Sequence, residues 1–321
     1  MGYISKAFRT STGDDPPDDA LMEKLLEHEP GDAQPPHAPN RPAEPAELPD
    51  DPAAGADALA ARAEPIEPIE PIDCPIDDRL VMVVAAESGH AEAYRRLASR
   101  AHAAMGGRSA VHAITSASRK EGKTITSANF AMAMAEVTQR RTVLIDGDLR
   151  AANLMRLFQG RADLPGLYQV LSGELDIDQV MVQPRGYGAT IIPAGISRGA
   201  AKAPAAINAD NLAAAIEALT DRFEQVVIDT PPVLDVADAG ALCGVADQVL
   251  LVVRMNQTHR AVVHEAIATV RSYNQNIAGL VMTDVKPHDV PYGQRYMHRY
   301  YGHRRPRRHA GPSPVLSGSK P

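Results

Sequence analysis

The sequence has no tryptophan and little of several other residue types. Only two cysteines, Cys74 and Cys243, and four phenylalanines occur among its 321 residues. One cysteine lies in a proline-rich stretch and the other in an apolar helical stretch, which excludes a disulfide framework and a cysteine-based metal site. No apolar run approaches the roughly 18 residues that a membrane span requires, and the charged N-terminus does not resemble a signal peptide. We therefore expect a soluble cytoplasmic protein without a transmembrane segment.

The two ends of the chain differ from its middle in charge. Residues 1–78 contain 14 of the 26 prolines, with 19 acidic and 5 basic residues, and they include the repeat EPIEPIEPI. Proline and like-charge repulsion predict a disordered acidic arm there. Residues 286–321 carry eight Lys or Arg against one Asp, which predicts a flexible basic tail. The charge-balanced residues 79–285 are sufficient for one α/β domain.

Six short stretches predict buried parallel strands, because they are almost continuously apolar and rich in β-branched residues. They are 110–115, 142–146, 189–194, 225–229, 248–253 and 279–285. Alanine-rich helical stretches lie between them, most clearly at 124–138, 210–222 and 258–274. This alternation predicts an α/β fold, a doubly wound and mostly parallel sheet with helices on both faces. Such sheets bind ligands at the carboxyl ends of their strands.

A phosphate-binding loop follows the first predicted strand. The stretch ASRKEGKT, starting at Ala117, fits the P-loop pattern with alanine in the first glycine position. In this loop the backbone N–H groups and the start of the next helix hold phosphates. The pattern places Lys123 on the outer phosphates and the Thr124 hydroxyl on Mg²⁺. The predicted ATP-binding residues are Ser118, Arg119, Lys120, Glu121, Gly122, Lys123, Thr124 and Ile125.

Acidic residues end two further predicted strands. VLIDGDLR places Asp146 at the end of one strand and Asp148 two residues later, and VVIDTPP places Asp229 at the end of another. Alone, each aspartate is equally typical of a helix N-cap. Beside a P-loop, carboxylates at strand ends can hold the magnesium shell. Three strand ends meeting at one phosphate site predict a nucleotide hydrolase or kinase that uses ATP and Mg²⁺.

The basic tail is unusually rich in tyrosine. Tyr292, Tyr296, Tyr300 and Tyr301, four of the nine tyrosines, fall within ten residues. Their neighbours are Arg, His, Gly and Pro, which offer the rings no obvious apolar packing. Exposed tyrosines on a mobile segment can reach a neighbour's site, as phosphoryl acceptors must.

Taken in order, the P-loop, the I-D-x-D-x-R and I-D-x-P-P strand ends and the tyrosine cluster resemble the bacterial tyrosine kinases of capsule and exopolysaccharide export. HAEAYRRL at 90–97 and PAG at 193–195 also match, so the resemblance covers about residues 80–301. It implies an ATP-dependent protein-tyrosine kinase that phosphorylates its own tail tyrosines in trans. It also implies a role in regulating polysaccharide synthesis and export.

The resemblance further implies roles for individual residues. Lys123 and Thr124 would contact phosphate and Mg²⁺, and Asp146 would lie closest to catalysis. Asp148 would help to activate the phenol, and Asp229 would be an outer-sphere magnesium ligand. Spacing does not decide which aspartate takes the proton. If Asp146 holds magnesium, Asp148 is the freer base.

The family's oligomerisation motif, E-x-x-R-x-x-R, is partly present. Glu92 and Arg95 match it, whereas Ala98 stands in the position of the second arginine. An equally consistent alternative is an exposed amphipathic helix that packs Tyr94 and Leu97 inward. We expect the chain to lack the fused transmembrane half that other members of this family carry. The resemblance thus implies a homo-oligomer and a separate membrane-embedded activator that recruits the kinase to the inner face of the membrane.

Two other interpretations remain open. A non-kinase ATPase of the chromosome-partitioning or division-site type shares the sheet and the P-loop. Its signature lysine would stand where this chain has Ser118, and it has no use for a tyrosine cluster. Alternatively, Arg and Tyr in the tail can contact nucleic acid or anionic lipid. We expect no nucleic-acid partner, because the tail's charge is modest and the acidic arm competes for it.

Overall fold

A parallel sheet forms the centre of the protein. The computed structural model describes residues 71–158, 164–195 and 209–286. In chain order the strands are β1 (Pro71–Ile72), β2 (Ala110–Ser116), β3 (Thr142–Asp146), β4 (Gln183–Pro184), β5 (Thr190–Ile192), β6 (Gln225–Asp229), β7 (Gln248–Arg254) and β8 (Ile277–Thr283). Six of them form one sheet in the order β5-β3-β6-β2-β7-β8, and every pairing is parallel.

Helices cover both faces of this sheet. They are α1 (Val81–Val84), α2 (Gly89–Ala104), α3 (Lys123–Thr138), α4 (Leu167–Leu171), α5 (Ala209–Thr220), α6 (Asp238–Gly244) and α7 (Arg260–Tyr273), with 3₁₀ turns at Leu154–Phe158 and Ile177–Val180. Successive strand residues point to opposite faces. Accordingly, Val143 and Ile145 pack into the core that contains α5–α7, and Leu144 packs into the core that contains α1–α3. Both faces are apolar because both are covered.

The predicted fold class is confirmed, since all six predicted strands lie in the parallel sheet. The predicted and observed bounds differ most for β5 and β8, the two edge strands of the sheet. The strand predicted at 189–194 is only Thr190–Ile192, and the one predicted at 279–285 is Ile277–Thr283. The three clearest predicted helices correspond to α3, α5 and α7.

The described chain begins eight residues before the predicted domain boundary at residue 79. There Pro71–Ile72 pairs with Gln183–Pro184, and the Asp77 N–H donates to the Leu157 carbonyl at 2.7 Å. Residues 1–70 and 287–321 lie outside the described residues, so the acidic arm and the basic tail remain predictions. In the described ranges, no helix combines the length and the hydropathy needed to cross a bilayer.

Candidate active site

A sharp loop joins the central strand β2 to helix α3. Gly122, directly before the helix, has a φ of 96°, which a residue with a side chain rarely adopts. A Cβ atom at Gly122 would also lie 3.3 Å from the Thr283 methyl carbon. The loop thus delivers the N-terminus of a 16-residue helix to the carboxyl edge of the sheet. Free N–H groups and the helix dipole favour an anion at this point.

The amine of Lys123 lies among carboxylates at this edge. Its Nζ atom is 3.2 Å from Oδ2 of Asp148 and 4.0 Å from Oδ2 of Asp229. Thr124 stands next to it, with the hydroxyl oxygen 3.5 Å from Nζ. Burial acts to lower the pKa of Lys123, but Asp229 and Asp148 outweigh it and raise that pKa. The lysine is therefore held as a cation where an anionic ligand would bind.

A glycine brings the ends of β3 and β6 together. The N–H of Gly147 donates to the Asp229 carbonyl at 2.8 Å. A Cβ atom at Gly147 would lie 2.9 Å from the Leu242 side chain and 3.0 Å from that carbonyl oxygen. Only glycine permits so close an approach of the two strand ends, which explains why Gly147 lies between Asp146 and Asp148.

The carboxylate of Asp146 organises the turn after β3. Oδ1 accepts the Asp148 N–H at 3.2 Å, and Oδ2 accepts the Leu154 N–H at 3.0 Å. Asp146 and Asp229 are register partners on adjacent strands. Burial, followed by the charge of Asp229, raises the pKa of Asp146 to about 8. Two buried carboxylates this close cannot both ionise easily without a cation.

One carboxylate oxygen at this edge accepts no hydrogen bond in the described chain, although it lies 4.0 Å from the Lys123 amine. Oδ1 of Asp229 accepts the Ser127 hydroxyl at 2.9 Å, but Oδ2 is buried and receives no hydrogen bond there. Burial raises the pKa of Asp229, whereas Lys123 opposes that shift. Hard oxygen donors from Thr124 and the carboxylates suit Mg²⁺, and an oxygen that accepts no hydrogen bond suits a water bound to such an ion. The donor set therefore fits magnesium.

The remaining predicted nucleotide residues lie on the same loop with different contacts. The Ser118 N–H donates to the Glu121 carboxylate at 3.1 Å. The exposed Arg119 pairs with Asp235 across the site at 3.3 Å. Lys120 is exposed and has a φ of 66°. Ile125 is partly buried against the core that contains α1–α3.

The predicted oligomerisation residues lie on α2, away from the P-loop. Arg95 pairs with Glu136 of α3 at 2.8 Å and with Glu92 at 3.6 Å. Ala98 is fully buried, so the position of the missing second arginine is not on the surface. The helix also packs Tyr94 against the core, as the amphipathic alternative predicts. A role for Glu92 and Arg95 in self-association stays a prediction.

The predicted acceptors Tyr292, Tyr296, Tyr300 and Tyr301 fall outside the described residues.

Two residues of the site, Ser127 and Thr283, were not predicted from the sequence. Ser127, which holds Asp229, was missed, although its position four residues after Lys123 on the same helix face is a usable signal. Thr283 was also missed, and it carries no comparable signal because its contact depends on the order of the strands.

Together, the parallel sheet, the glycine–lysine loop and the carboxylates at neighbouring strand ends define a P-loop ATPase fold. The chain belongs to the AAA domain family, which matches residues 112–280. It is 30% identical over 228 residues to the succinoglycan biosynthesis transport protein ExoP of Rhizobium meliloti (strain 1021), covering 68% of this chain and 29% of that protein. It thus spans less than a third of ExoP.

A second relative is closer in length. The tyrosine-protein kinase CpsD of Streptococcus agalactiae serotype III (strain NEM316) is 28% identical over 185 residues, which are 56% of this chain and 77% of CpsD. The kinase domain of the Escherichia coli tyrosine kinase ETK superposes with a TM-score of 0.58 at 24% identity, covering 73% of this chain and 89% of that domain. The ETK likeness shows the fold. The predicted resemblance to bacterial tyrosine kinases is confirmed by these relatives.

Proposed function

We propose that the protein is an ATP- and Mg²⁺-dependent tyrosine kinase that phosphorylates its own tail in trans. One observation carries the proposal: Lys123, Asp146, Asp148 and Asp229 meet at the start of α3, at the carboxyl ends of β3 and β6. A cationic lysine and a helix N-terminus suit the phosphates, and acidic groups beside them suit an acceptor hydroxyl. The name of the relative CpsD supports the same reaction.

Four residues would hold the nucleotide's metal and outer phosphates. Thr124 would ligate Mg²⁺, with Asp146 beside it and Asp229 reaching the ion through a water. Bound there, Mg²⁺ would neutralise charge on the transferred phosphoryl group. Lys123 would contact the outer phosphate oxygens as a point charge. Oδ2 of Asp229 accepts no hydrogen bond in the described chain, which supports this assignment, because a bound water would donate to it.

Asp148 would be the base of the reaction. Its Oδ2 is now paired with Lys123, and its Oδ1 accepts the Ala151 N–H at 3.1 Å. Phosphate oxygens compete for the lysine, so nucleotide binding would free Asp148 Oδ2. The phenol oxygen would then bond to the γ-phosphorus as the bond to the leaving ADP oxygen breaks, and Asp148 would accept the phenol proton.

The acceptors would be the four tail tyrosines of a neighbouring copy. Each phosphate would add close to two negative charges among the tail arginines and change the tail's attraction for acidic surfaces. Self-association through Glu92 and Arg95 would bring the copies together. By analogy with ExoP, whose name refers to succinoglycan biosynthesis and transport, the process regulated would be exopolysaccharide export, through a membrane-embedded activator.

The test is to incubate the pure full chain with Mg-ATP and map phosphotyrosine by mass spectrometry. We expect phosphate on the tail tyrosines of the wild type and none in Lys123→Met. Mixing Lys123→Met with an active copy whose tail tyrosines are phenylalanine tests transfer in trans. ATP hydrolysis without phosphotyrosine would instead indicate a non-kinase switch of the partitioning type.

A further inference from the structure

Residues Ser118–Glu121 of the P-loop contact β7, the turn after β7 and β8, none of which supplies a predicted site residue. The side chain of Glu121 is buried, with 1% of its surface exposed. One carboxylate oxygen accepts the Ser118 N–H at 3.1 Å and closes the loop on itself. The other accepts the hydroxyl of Thr258, in the turn between β7 and α7. The backbone oxygen of Glu121 accepts the Thr283 hydroxyl at 2.6 Å.

Arg254, the last residue of β7, adds a second set of contacts. Its guanidinium donates to the Lys120 backbone oxygen at 3.4 Å and pairs with Asp284 at 3.1 Å. Lys120 and Asp284 both have positive φ, 66° and 55°, and so does Asn256 in the same turn, 59°. Such strain persists only where surrounding contacts impose it, and it clusters at functional sites. Three of the five non-glycine residues with positive φ in the described chain lie at this junction.

The charge of Glu121 makes a direct role in binding nucleotide unfavourable. A carboxylate in a phosphate-binding loop repels phosphate. Both of its oxygens are already occupied by donors from the protein, one from Ser118 and one from Thr258. What the side chain supplies is therefore the shape of the loop.

We propose that Glu121 is a positioning residue that, with Thr258 and Thr283, holds the P-loop in the conformation that receives the phosphates. This inference rests on the proposed function for its nucleotide, and it assigns Glu121 a role distinct from contact with ATP. Removing the carboxylate leaves the Ser118 N–H and the Thr258 hydroxyl without their acceptors, and the loop opens. Thr283 anchors the same residue through its backbone.

Two substitutions of Glu121 separate shape from charge. Glu121→Ala removes both acceptors, and we expect it to weaken Mg-ATP binding roughly tenfold, as the loss of organised donors does. In Glu121→Gln the amide oxygen can accept the Ser118 N–H, and the amide N–H can donate to the Thr258 oxygen. Because Gln keeps the shape and removes the repulsion, we expect its affinity to equal or exceed that of the wild type.

The experiment is calorimetric titration of the full chain with Mg-ATP analogue, with thermal unfolding recorded for each variant. Thr258→Val and Thr283→Val remove one hydroxyl each and should weaken binding several-fold. Thr269→Val is the matched control, since its hydroxyl donates to the Glu265 carbonyl within α7, away from the loop. If Glu121→Ala fails to fold, the two valine variants carry the test, because they leave the buried carboxylate in place.

The outcomes are distinguishable. If the wild type binds no nucleotide, the proposed function fails. If the wild type binds but Glu121→Ala, Thr258→Val and Thr283→Val bind equally well, the positioning role is wrong. A loss of affinity in Glu121→Gln equal to that in Glu121→Ala would also overturn it, because the charge would then matter rather than the shape. In the double variant Glu121→Ala/Thr258→Val, we expect the second change to add nothing, since the shared contact is already gone.

Discussion

The Nζ atom of Lys123 lies 3.2 Å from Oδ2 of Asp148, so the lysine of the P-loop and the proposed base form a buried ion pair. A ligand that takes the lysine would release the carboxylate at the moment it is needed. In the proposed reaction, this exchange would couple nucleotide binding to activation of the acceptor.

Asp148→Asn should abolish most phosphoryl transfer while leaving nucleotide binding intact. The amide cannot accept the phenol proton, and loss of a general base typically slows a reaction roughly 10²- to 10⁴-fold. The rate of phosphotyrosine formation and the affinity for Mg-ATP should be measured on the same preparation. Asp221→Asn, at an exposed position outside the site, is the control. Full autophosphorylation by Asp148→Asn would remove Asp148 as the base.

Gly147→Ala should disturb the site without touching a charged group. The new methyl group would meet the Leu242 side chain at 2.9 Å and the Asp229 carbonyl at 3.0 Å. Overpacking of this kind costs about 1–3 kcal/mol in the free energy of unfolding. It would also push apart the strand ends that carry Asp146 and Asp229. We expect phosphotyrosine formation to fall even under conditions where urea unfolding shows that the variant is fully folded.

Adding Leu242→Ala to Gly147→Ala provides the internal control. The smaller side chain relieves only the contact with Leu242, because the Asp229 carbonyl belongs to the backbone. Because Leu242 is fully buried, its truncation is itself destabilising, so Gly147→Ala should cost less stability in the Leu242→Ala background than alone, and activity should not recover. Recovery of both would show that the backbone contact between the strand ends is unimportant.

The buried aspartates predict how stability depends on pH. Burial raises the pKa of Asp146 to about 8, above its unfolded value of 3.8. Its contribution to stability is complete below pH 4 and is lost as pH rises towards 8. Relative to the wild type, Asp146→Asn should therefore gain stability between these limits. Mg²⁺ should raise the wild-type Tm more at pH 8 than at pH 5, because the ion favours the charged form. An equal Mg²⁺ effect at both pH values would contradict this.

A buried histidine predicts a stability contribution that rises with pH, opposite to that of Asp146. His112 on β2 is fully buried, with Nε2 2.9 Å from Gln225 and Nδ1 2.8 Å from Gln248. Burial lowers its pKa from 6.5 to about 4. The unfolded chain then binds the proton first, and about 3 kcal/mol of stability is lost as pH falls from 6.5 to 4. The difference in unfolding free energy between the wild type and His112→Gln should vary across that range and be constant above pH 7.

Replacing the four tail tyrosines with phenylalanine tests the proposed consequence of phosphorylation. The wild type should change its state of association when ATP is supplied, because phosphate alters the charge of the tail. The tyrosine-free variant should not respond. Light scattering with and without Mg-ATP measures both. If the variant assembles and disassembles with ATP as the wild type does, tail phosphorylation does not control association.

The sheet and the main site residues were predictable for the same physical reason. Parallel strands covered on both faces are almost continuously apolar, so their ends are visible in the sequence. The carboxyl ends of such strands share one edge, which is why Asp146 and Asp229 could be expected beside Lys123. The sequence could not predict the two-residue pairing of Pro71–Ile72 with Gln183–Pro184, because so short a strand has no periodicity.

Other contacts depended on the order of the strands. Thr283 contacts the P-loop because β8 pairs with β7, and β7 pairs with β2, the strand that leads into the P-loop. No pattern in the linear sequence gives that order. The proposed positioning role of Glu121 was missed for the same reason, since Thr258 lies in the turn after β7 and Thr283 at the end of β8.

Thr283 is also where the chain leaves the sheet, and its methyl group lies against the position of Gly122. Tyr292 lies eight positions after Asp284 in the sequence, a span of at most about 29 Å when fully extended. In the proposed transfer between copies, a tether of this length would limit how far apart two kinase domains can lie while the first tail tyrosine of one enters the site of the other. The proposed reaction would then need contact between two copies, so its rate per molecule should rise with protein concentration.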